Sequence, residues 1–229
     1  MHRERGASWA VSRDEAVLAF PELAHERLLG LMPQFLSTAR RLGAPEASCW
    51  SLLPTEPEAL GSELVAAGFR EGWQAHWMAI EVHARPSSVF PPGVEIGLAP
   101  ATWRPTSLPW DGDRVAAIRS SLATARPRRV WHLGAWREGR PVGHALVNVT
   151  TGRLGVSGIY DVGVAESERR RGIGSALIVA ALQLAGAQGC AAATLNATPE
   201  GELLFSALGF QSVGVAQTWW LDLAERAAG

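Results

Sequence analysis

The chain has 229 residues, a length that suits one large domain or two small ones. Hydrophobic residues make up 47% of the sequence and charged residues 19%, which predicts a packed core and excludes a wholly disordered chain. The formal net charge of −1 gives no electrostatic basis for binding nucleic acid.

Cysteines, histidines and the N-terminus exclude several further classes. Cys49 and Cys190 are too few for a disulfide framework and lie in apolar runs, where free buried thiols are expected. The six histidines show no metal-ligand spacing, so we expect no metal. The N-terminal residues are polar without an apolar run, and no apolar segment is long enough to span a membrane. We therefore expect a cytoplasmic protein, as a monomer or homodimer, without nucleic-acid or membrane partners.

The N-terminal elements are predicted to be a strand at 49–53, a helix that begins at Pro57-Glu58 and ends at Gly68-Phe69, and a strand at 77–82. Three prolines and a glycine then fill the segment 86–93, which cannot sustain a helix or a central strand. We predict a domain at 1–85, a linker at 86–93 and a second domain at 94–229.

Strand and helix patterns alternate after the linker. Strands are predicted at 94–98, 130–136, 141–150, 154–164 and 191–195, and helices at 102–125, 171–187 and 199–209. Residues 211–223 are predicted to form a final hairpin. This order is typical of an α/β protein with a mixed sheet.

The two predicted domains share a pattern. Gly68-Phe69 and Gly209-Phe210 each end a helix that begins with Pro-Glu, and the two Gly-Phe pairs lie 141 residues apart. A tryptophan-containing strand follows each helix. An internal repeat explains this pattern, and so does the general similarity of strand–helix–strand units.

The segment 160–177 contains the clearest functional motif. A strand leads into the sequence Arg169-Arg170-Arg171-Gly172-Ile173-Gly174, which opens an apolar helix. The first N–H groups of a helix lack intrahelical partners, and the helix dipole favours negative charge there. Gly172 and Gly174 lack Cβ atoms that would keep a phosphate away, and the arginines add positive charge. This pattern predicts an anion site.

Three phosphate-binding loops are candidates. A P-loop needs a lysine, and the sequence contains none. A dinucleotide-binding loop needs a third glycine where Leu177 stands. The acyl-CoA pyrophosphate loop, Arg/Gln-x-x-Gly-x-Gly/Ala, agrees with residues 169–174 at every fixed position.

On these residues the sequence resembles the GNAT superfamily of acyl-CoA-dependent N-acyltransferases. The resemblance covers Val94 to Leu223 and depends on Val162-Gly163-Val164, the Arg169–Gly174 loop and the helix that ends at Leu208-Gly209-Phe210. It implies a mixed, splayed β-sheet flanked by helices, with a smaller degenerate GNAT-like domain before it. It also implies acetyl-CoA as cosubstrate and an amine acceptor, expected to be a small molecule.

The resemblance implies roles for individual residues. The backbone of Val162, Gly163 and Val164 would pair with the pantetheine arm, and the amides from 170 to 175 would hold the pyrophosphate. The full set of implied cofactor-binding residues is Val162, Gly163, Val164, Arg169, Arg170, Arg171, Gly172, Ile173, Gly174, Ser175, Asn196 and Phe205. The acceptor amine would attack the thioester directly, without a covalent enzyme intermediate.

Asp161 is the expected catalytic residue, either as a base acting through water or as a group that orients the substrate; a purely structural carboxylate is the alternative. Strand alternation would send Tyr160 to the opposite face. His132 and His144 are further candidate bases. Four tryptophans are expected either to line an acceptor pocket or to pack in the core: Trp103, Trp110, Trp131 and Trp136.

The sequence departs from the family pattern in two places. Phe205 stands where many members have a tyrosine that protonates the leaving thiolate, and Thr198 stands at the place of a helix-opening asparagine. In the N-terminal half, Arg13–Pro21 corresponds to the phosphate loop; it has no glycine and contains acids, which predicts a lost cofactor site. Two alternatives therefore remain: a non-catalytic CoA-binding module, and an acetyltransferase acting on protein N-termini or side chains.

Overall fold

The computed structural model describes residues 2–4, 7–11, 15–19, 25–52, 59–83, 90–100, 103, 124, 126–150 and 155–224. Within these ranges lie eleven strands and four α-helices. The strands are β1 (His2–Glu4), β2 (Ala7–Val11), β3 (Ala16–Ala19), β4 (Glu46–Leu52), β5 (Arg70–Glu81), β6 (Val94–Leu98), β7 (Val130–Arg137), β8 (Arg140–Val149), β9 (Val156–Val164), β10 (Ala192–Ala197) and β11 (Gln211–Asp222). The helices are α1 (His25–Arg41), α2 (Leu60–Ala66), α3 (Ile173–Ala187) and α4 (Pro199–Ala207).

The packing divides the chain into two compact units. One contains Met1–Trp77 and Val213–Gly229, and the other contains Met78–Ser212. Most of β11 therefore packs with the N-terminal half. The domain boundaries at 85 and 94 stay a prediction, whereas the packing divides the chain after residues 77 and 212.

The first unit has the strand order β1-β2-β3-β4-β11-β5. β3 and β4 are parallel and are joined through α1, whereas β4 and β11 are antiparallel. Helix α1 buries Phe35, and α2 buries Leu60 and Leu64, in a core that also holds Leu18 and Trp219. These residues alternate with polar ones at helical or strand spacing, so one face of each element is apolar.

The second unit has the strand order β5-β10-β9-β8-β7-β6. β9 and β10 are parallel and are joined through α3, and β6 to β9 are successively antiparallel. Helix α3 contains no charged residue, and its Ile173, Leu177, Ile178 and Leu182 are fully buried. The helix begins and ends within two residues of its predicted bounds, which its apolar period and the flanking glycines specify.

Most elements predicted after the linker are confirmed, but the final hairpin is wrong. Residues 211–222 form one continuous strand, β11, that pairs with β4 from Ala216 to Asp222. A tight hairpin turn needs residues with positive φ. Gly214 is the only glycine in this segment, and it does not adopt one.

The alignment of Arg13–Pro21 with a phosphate loop is also wrong. Residues 16–19 form β3, whose small and apolar side chains fit a half-buried strand paired with β4. The segment between β3 and α1 is residues 20–24, which lie outside the described residues. Also outside them are the Pro57-Glu58 helix start, Trp110 and nearly all of the predicted 102–125 helix.

Corresponding elements recur in the two halves: β3-α1-β4-α2-β5 in the first and β9-α3-β10-α4-β11 in the second. Both α2 and α4 end with the same hydrogen bonds, in which a glycine amide donates three residues back and the following phenylalanine amide five residues back. Gly68 and Gly209 have φ of 92° and 91°. This Schellman motif needs a left-handed residue, so it explains both Gly-Phe pairs and supports the predicted repeat.

None of the described helices combines the length and the apolar composition needed to cross a membrane.

Candidate active site

Strand β9 has one open edge. Its parallel pairing with β10 ends at Gly158 opposite Thr194, although β9 continues to Val164. On its other side β9 stays paired with β8 as far as Val164. The predicted pantetheine-binding residues Val162, Gly163 and Val164 therefore lie in a segment whose backbone groups on the β10 side are available to another extended chain.

A β-bulge interrupts β9 at Asp161. Leu146 of β8 lies opposite Tyr160, and His144 lies opposite Gly163, so one residue of β8 faces two residues of β9. Asp161 has a φ of 55°, a left-handed conformation that aspartate tolerates better than most residues. Bulges of this kind often lie next to active sites, where they redirect a side chain. Strand alternation therefore does not decide on which face the Asp161 carboxylate lies.

The loop after β9 contains two residues with a left-handed backbone. A 3₁₀ turn, Glu166–Glu168, is followed by Arg170 with φ of 62° and Gly172 with φ of 80°. Left-handed residues alternating with ordinary ones turn successive N–H groups toward one side, which is an anion-binding arrangement.

Helix α3 begins at Ile173 without a side-chain cap. The first helical hydrogen bond runs from the Ala176 amide to the Gly172 carbonyl at 3.0 Å. The preceding amides, including those of Gly174 and Ser175, consequently have no intrahelical acceptor. Together with the helix dipole they favour a negatively charged group at this position.

Arginines offset the acids beside the loop. The Glu168 carboxylate is paired with Arg137 at 3.2 Å and with Arg171 at 3.4 Å. The Arg169 side chain donates to the Val164 carbonyl at 3.3 Å. Arg170 has no recorded side-chain partner among the described residues, so its guanidinium is available to a ligand. Sequence reasoning missed Arg137, because nothing local connects the end of β7 with a residue 31 positions later.

The two loop glycines have different roles. At Gly172 a Cβ would lie 3.5 Å from Pro91, an ordinary contact, so the positive φ is what requires glycine. At Gly174 a Cβ would lie 3.3 Å from Leu204 of α4 and 3.9 Å from Val164. The missing side chain of Gly174 thus permits close packing of α3 on α4, whereas the sequence suggested that it admits a phosphate.

The other two predicted ligand residues lie on β10 and α4. Asn196 is half-buried and lies two residues after Thr194, on the same face of β10 and beside the open segment of β9. Phe205 is only 7% exposed and packs edge-on against Phe210, with ring centroids 5.9 Å apart. Thr198 caps α4 by accepting a hydrogen bond from the Gly201 amide at 3.2 Å.

His132 and His144 form a buried pair. His132 Nε2 lies 3.2 Å from His144 Nδ1, and the side chains are 4% and 0% exposed. One of these two nitrogens carries the proton and donates the hydrogen bond, and the other accepts the hydrogen bond. The ring of Trp103 lies 4.9 Å from that of His132 and 5.5 Å from that of Trp136. Trp131 instead lies in the core, with Arg128 over its ring.

Tyr160 lies next to the bulge and is 41% exposed. Its register opposite Leu146 places it on the sheet face that also carries His144. Desolvation raises the pKa of Tyr160 above its usual value of 10.0, so the phenol keeps its proton throughout the neutral range. Within the described residues, no group of three or more histidine, cysteine, aspartate or glutamate side chains is arranged to hold a metal ion.

These features define an α/β protein with an uncapped helix N-terminus after a strand that has an open edge. Residues 97–210 match the model of the acetyltransferase (GNAT) family. This region belongs to the GNAT superfamily, which confirms the resemblance seen in the sequence. Acyl transfer is the general activity of that family.

Solved structures support the fold over nearly the whole chain. A GCN5-related N-acetyltransferase from Kribbella flavida is 19% identical, with a TM-score of 0.62 over 96% of this chain and 93% of its own. A functionally unknown protein from Staphylococcus epidermidis is 16% identical, with a TM-score of 0.65 over 91% and 84%. A tandem GNAT protein from the clavulanic acid biosynthesis pathway is 18% identical, with a TM-score of 0.61 over 91% and 75%. No curated protein is significantly similar to the chain.

Proposed function

We propose that the protein is an N-acetyltransferase that transfers the acetyl group of acetyl-CoA to the primary amine of a small molecule, by direct attack in a ternary complex. One observation carries this proposal: the uncapped N-terminus of α3 directly follows a strand, β9, with an open edge. A helix N-terminus suits a pyrophosphate, and an unpaired strand edge suits an extended arm that contains amides. Acyl-CoA joins these two groups in one molecule.

The residues present fit acyl-CoA. The amides from Arg170 to Ser175 would hold the pyrophosphate, and Arg170 would add a charged donor. The open edge at Val162–Val164 would pair with the pantetheine amides. Asn196, on the neighbouring strand, is placed to hydrogen-bond the same arm. The thioester supplies the activated acyl carbon when it is bound.

Asp161 is the proposed group that binds and deprotonates the acceptor amine. An arm that starts at residues 170–175 and follows β9 backwards past Val162 brings its reactive end to Asp161, where the bulge redirects the strand. A carboxylate there can orient an ammonium group and take its proton, directly or through a water molecule. Holding both reactants in one geometry provides the rest of the rate enhancement.

The experiment is turnover of acetyl-CoA with a panel of small primary amines, followed as thiol release, for the wild type and Asp161→Asn. Asparagine tolerates positive φ as aspartate does, so the change removes the charge and keeps the bulge. We expect kcat to fall by roughly 10²–10⁴-fold with a much smaller change in acetyl-CoA affinity. Glu71→Gln, which alters an exposed carboxylate on β5, is the control and should have wild-type activity. An unchanged rate at saturating acceptor would remove Asp161 from the mechanism.

One observation favours a second candidate, a non-catalytic CoA-binding module. Phe205 provides no hydroxyl at the family's tyrosine position and packs in the core instead. Calorimetric binding of CoA without turnover on the whole panel would support this candidate. Acetylation of peptide amines alone would instead assign a protein acceptor.

A further inference from the structure

We propose that Tyr160 is the catalytic residue that protonates the sulfur of CoA as the carbon–sulfur bond breaks. This proposal rests on the proposed function. It assigns to β9 a hydroxyl that α4 does not provide, because α4 carries Phe205.

The first reason for this role is the position of Tyr160 along β9. The open edge begins beyond Gly158, where the pairing with Thr194 closes the gap between β9 and β10. An extended arm anchored at the α3 N-terminus advances along β9 by about 3.3 Å per residue. It passes Val164 and Val162 and has to stop before Gly158. Its reactive end therefore lies beside Asp161 and Tyr160.

The second reason is the surroundings of the Tyr160 phenol. The Tyr160 ring folds back over Gly158, where a Cβ would lie 2.6 Å from the hydroxyl oxygen. Glycine at 158 thus makes room for the phenol at the point where β9 and β10 separate. Among the described residues, no group is recorded in a hydrogen bond with this hydroxyl, so it is free to donate to a ligand. It is also the only tyrosine in the chain.

Other proton carriers near the open edge fit this role less well. His132 and His144 are almost completely buried and have Trp103 against them. Tyr160 combines a hydroxyl with partial exposure.

The proton and electron balance closes without a further reactant. The amine nitrogen forms the new bond to the carbonyl carbon, and the electron pair of the carbon–sulfur bond leaves with sulfur. Sulfur takes the proton from the Tyr160 oxygen. The phenolate regains a proton from solvent, which reaches the exposed part of the ring, and the proton of the acceptor nitrogen leaves through Asp161.

The first test is Tyr160→Phe. We expect kcat to fall by about 10²-fold while the calorimetric affinity for acetyl-CoA stays within about two-fold of wild type. The wild-type rate should fall as the pH rises through the pKa of the Tyr160 phenol, which burial raises above its usual value of 10.0. Tyr160→Phe has no such proton to lose, so its defect should shrink there. Adding Phe205→Tyr should restore part of the rate. A defect that is independent of pH would overturn the proposal, since a structural role predicts that result.

The second test has a readout other than activity. Fluorotyrosine incorporation gives a single ¹⁹F resonance, because Tyr160 is the only tyrosine. CoA should shift this resonance more than desulfo-CoA does. Gly158→Ala, which displaces the ring, should abolish the difference. Equal shifts with both ligands would overturn the role of Tyr160 alone, whereas failure of both ligands to bind in calorimetry would overturn the proposed function with it.

Discussion

Three residues of the candidate site, Asp161, Arg170 and Gly172, have positive φ. For a residue other than glycine this conformation costs on the order of 1–3 kcal/mol and persists only where its surroundings impose it. The β8 pairing on both sides of the bulge does so for Asp161, and the turn into α3 does so for Arg170. Backbone strain is thus concentrated where the donor is proposed to bind.

Gly172→Val should abolish CoA binding in a chain that still folds. A branched side chain at a φ of 80° costs about 1–2 kcal/mol, and escape from this strain would turn the loop amides away from the anion. Calorimetry with CoA and chemical denaturation measure the two effects. Gly189→Val is the matched control, because Gly189 has a φ of 79° and open space around it at the other end of α3. It should lose similar stability and keep its affinity; wild-type affinity in Gly172→Val would refute the loop assignment.

At the scale of elements, the second unit depends on the close approach of α3 and α4. Gly174 faces Leu204 across this contact, and α4 in turn carries Phe205 into the core, where it packs against Phe210. The contact therefore connects the uncapped N-terminal end of α3 to the helix that carries Phe205. A side chain at 174 would affect stability before it affected the ligand.

Gly174→Val should lower the free energy of unfolding by about 1–3 kcal/mol through overpacking. Leu204→Ala makes room, so the double variant should be more stable than the sum of the two single changes predicts. Denaturant unfolding of all four proteins gives the coupling. Recovery of stability together with recovery of CoA affinity supports the packing role. Recovery of stability without affinity would restore the sequence-based idea that Gly174 admits the phosphate.

The two halves of the whole molecule share an order of strands and helices, but only the second half contains a candidate acyl-CoA site. The sequence between β3 and α1 is Phe20-Pro21-Glu22-Leu23-Ala24, at the position that Arg169–Gly172 takes between β9 and α3. It has no glycine, its proline lacks an N–H, and its glutamate would repel a pyrophosphate. The N-terminal half thus lacks the chemistry of the loop.

We therefore expect one CoA per chain. Isothermal titration of the full chain should give a stoichiometry near one, and Gly172→Val should reduce it to zero. A stoichiometry near two, or residual binding in that variant, would place a second site in the N-terminal half.

Features that depend on neighbouring residues could be predicted from the amino-acid sequence. The apolar period and the flanking glycines specify α3, and the arginine–glycine pattern specifies the loop before it, because helix termini and left-handed turns follow from local chemistry. Three features of the site could not be predicted in this way: the bulge at Asp161, the His132–His144 pair and the ion pair of Arg137 with Glu168. Each depends on which strands lie side by side, and pairing between distant segments leaves no local signal. For the same reason β11 is one strand instead of a hairpin: β4, more than 150 residues earlier in the chain, supplies its partner.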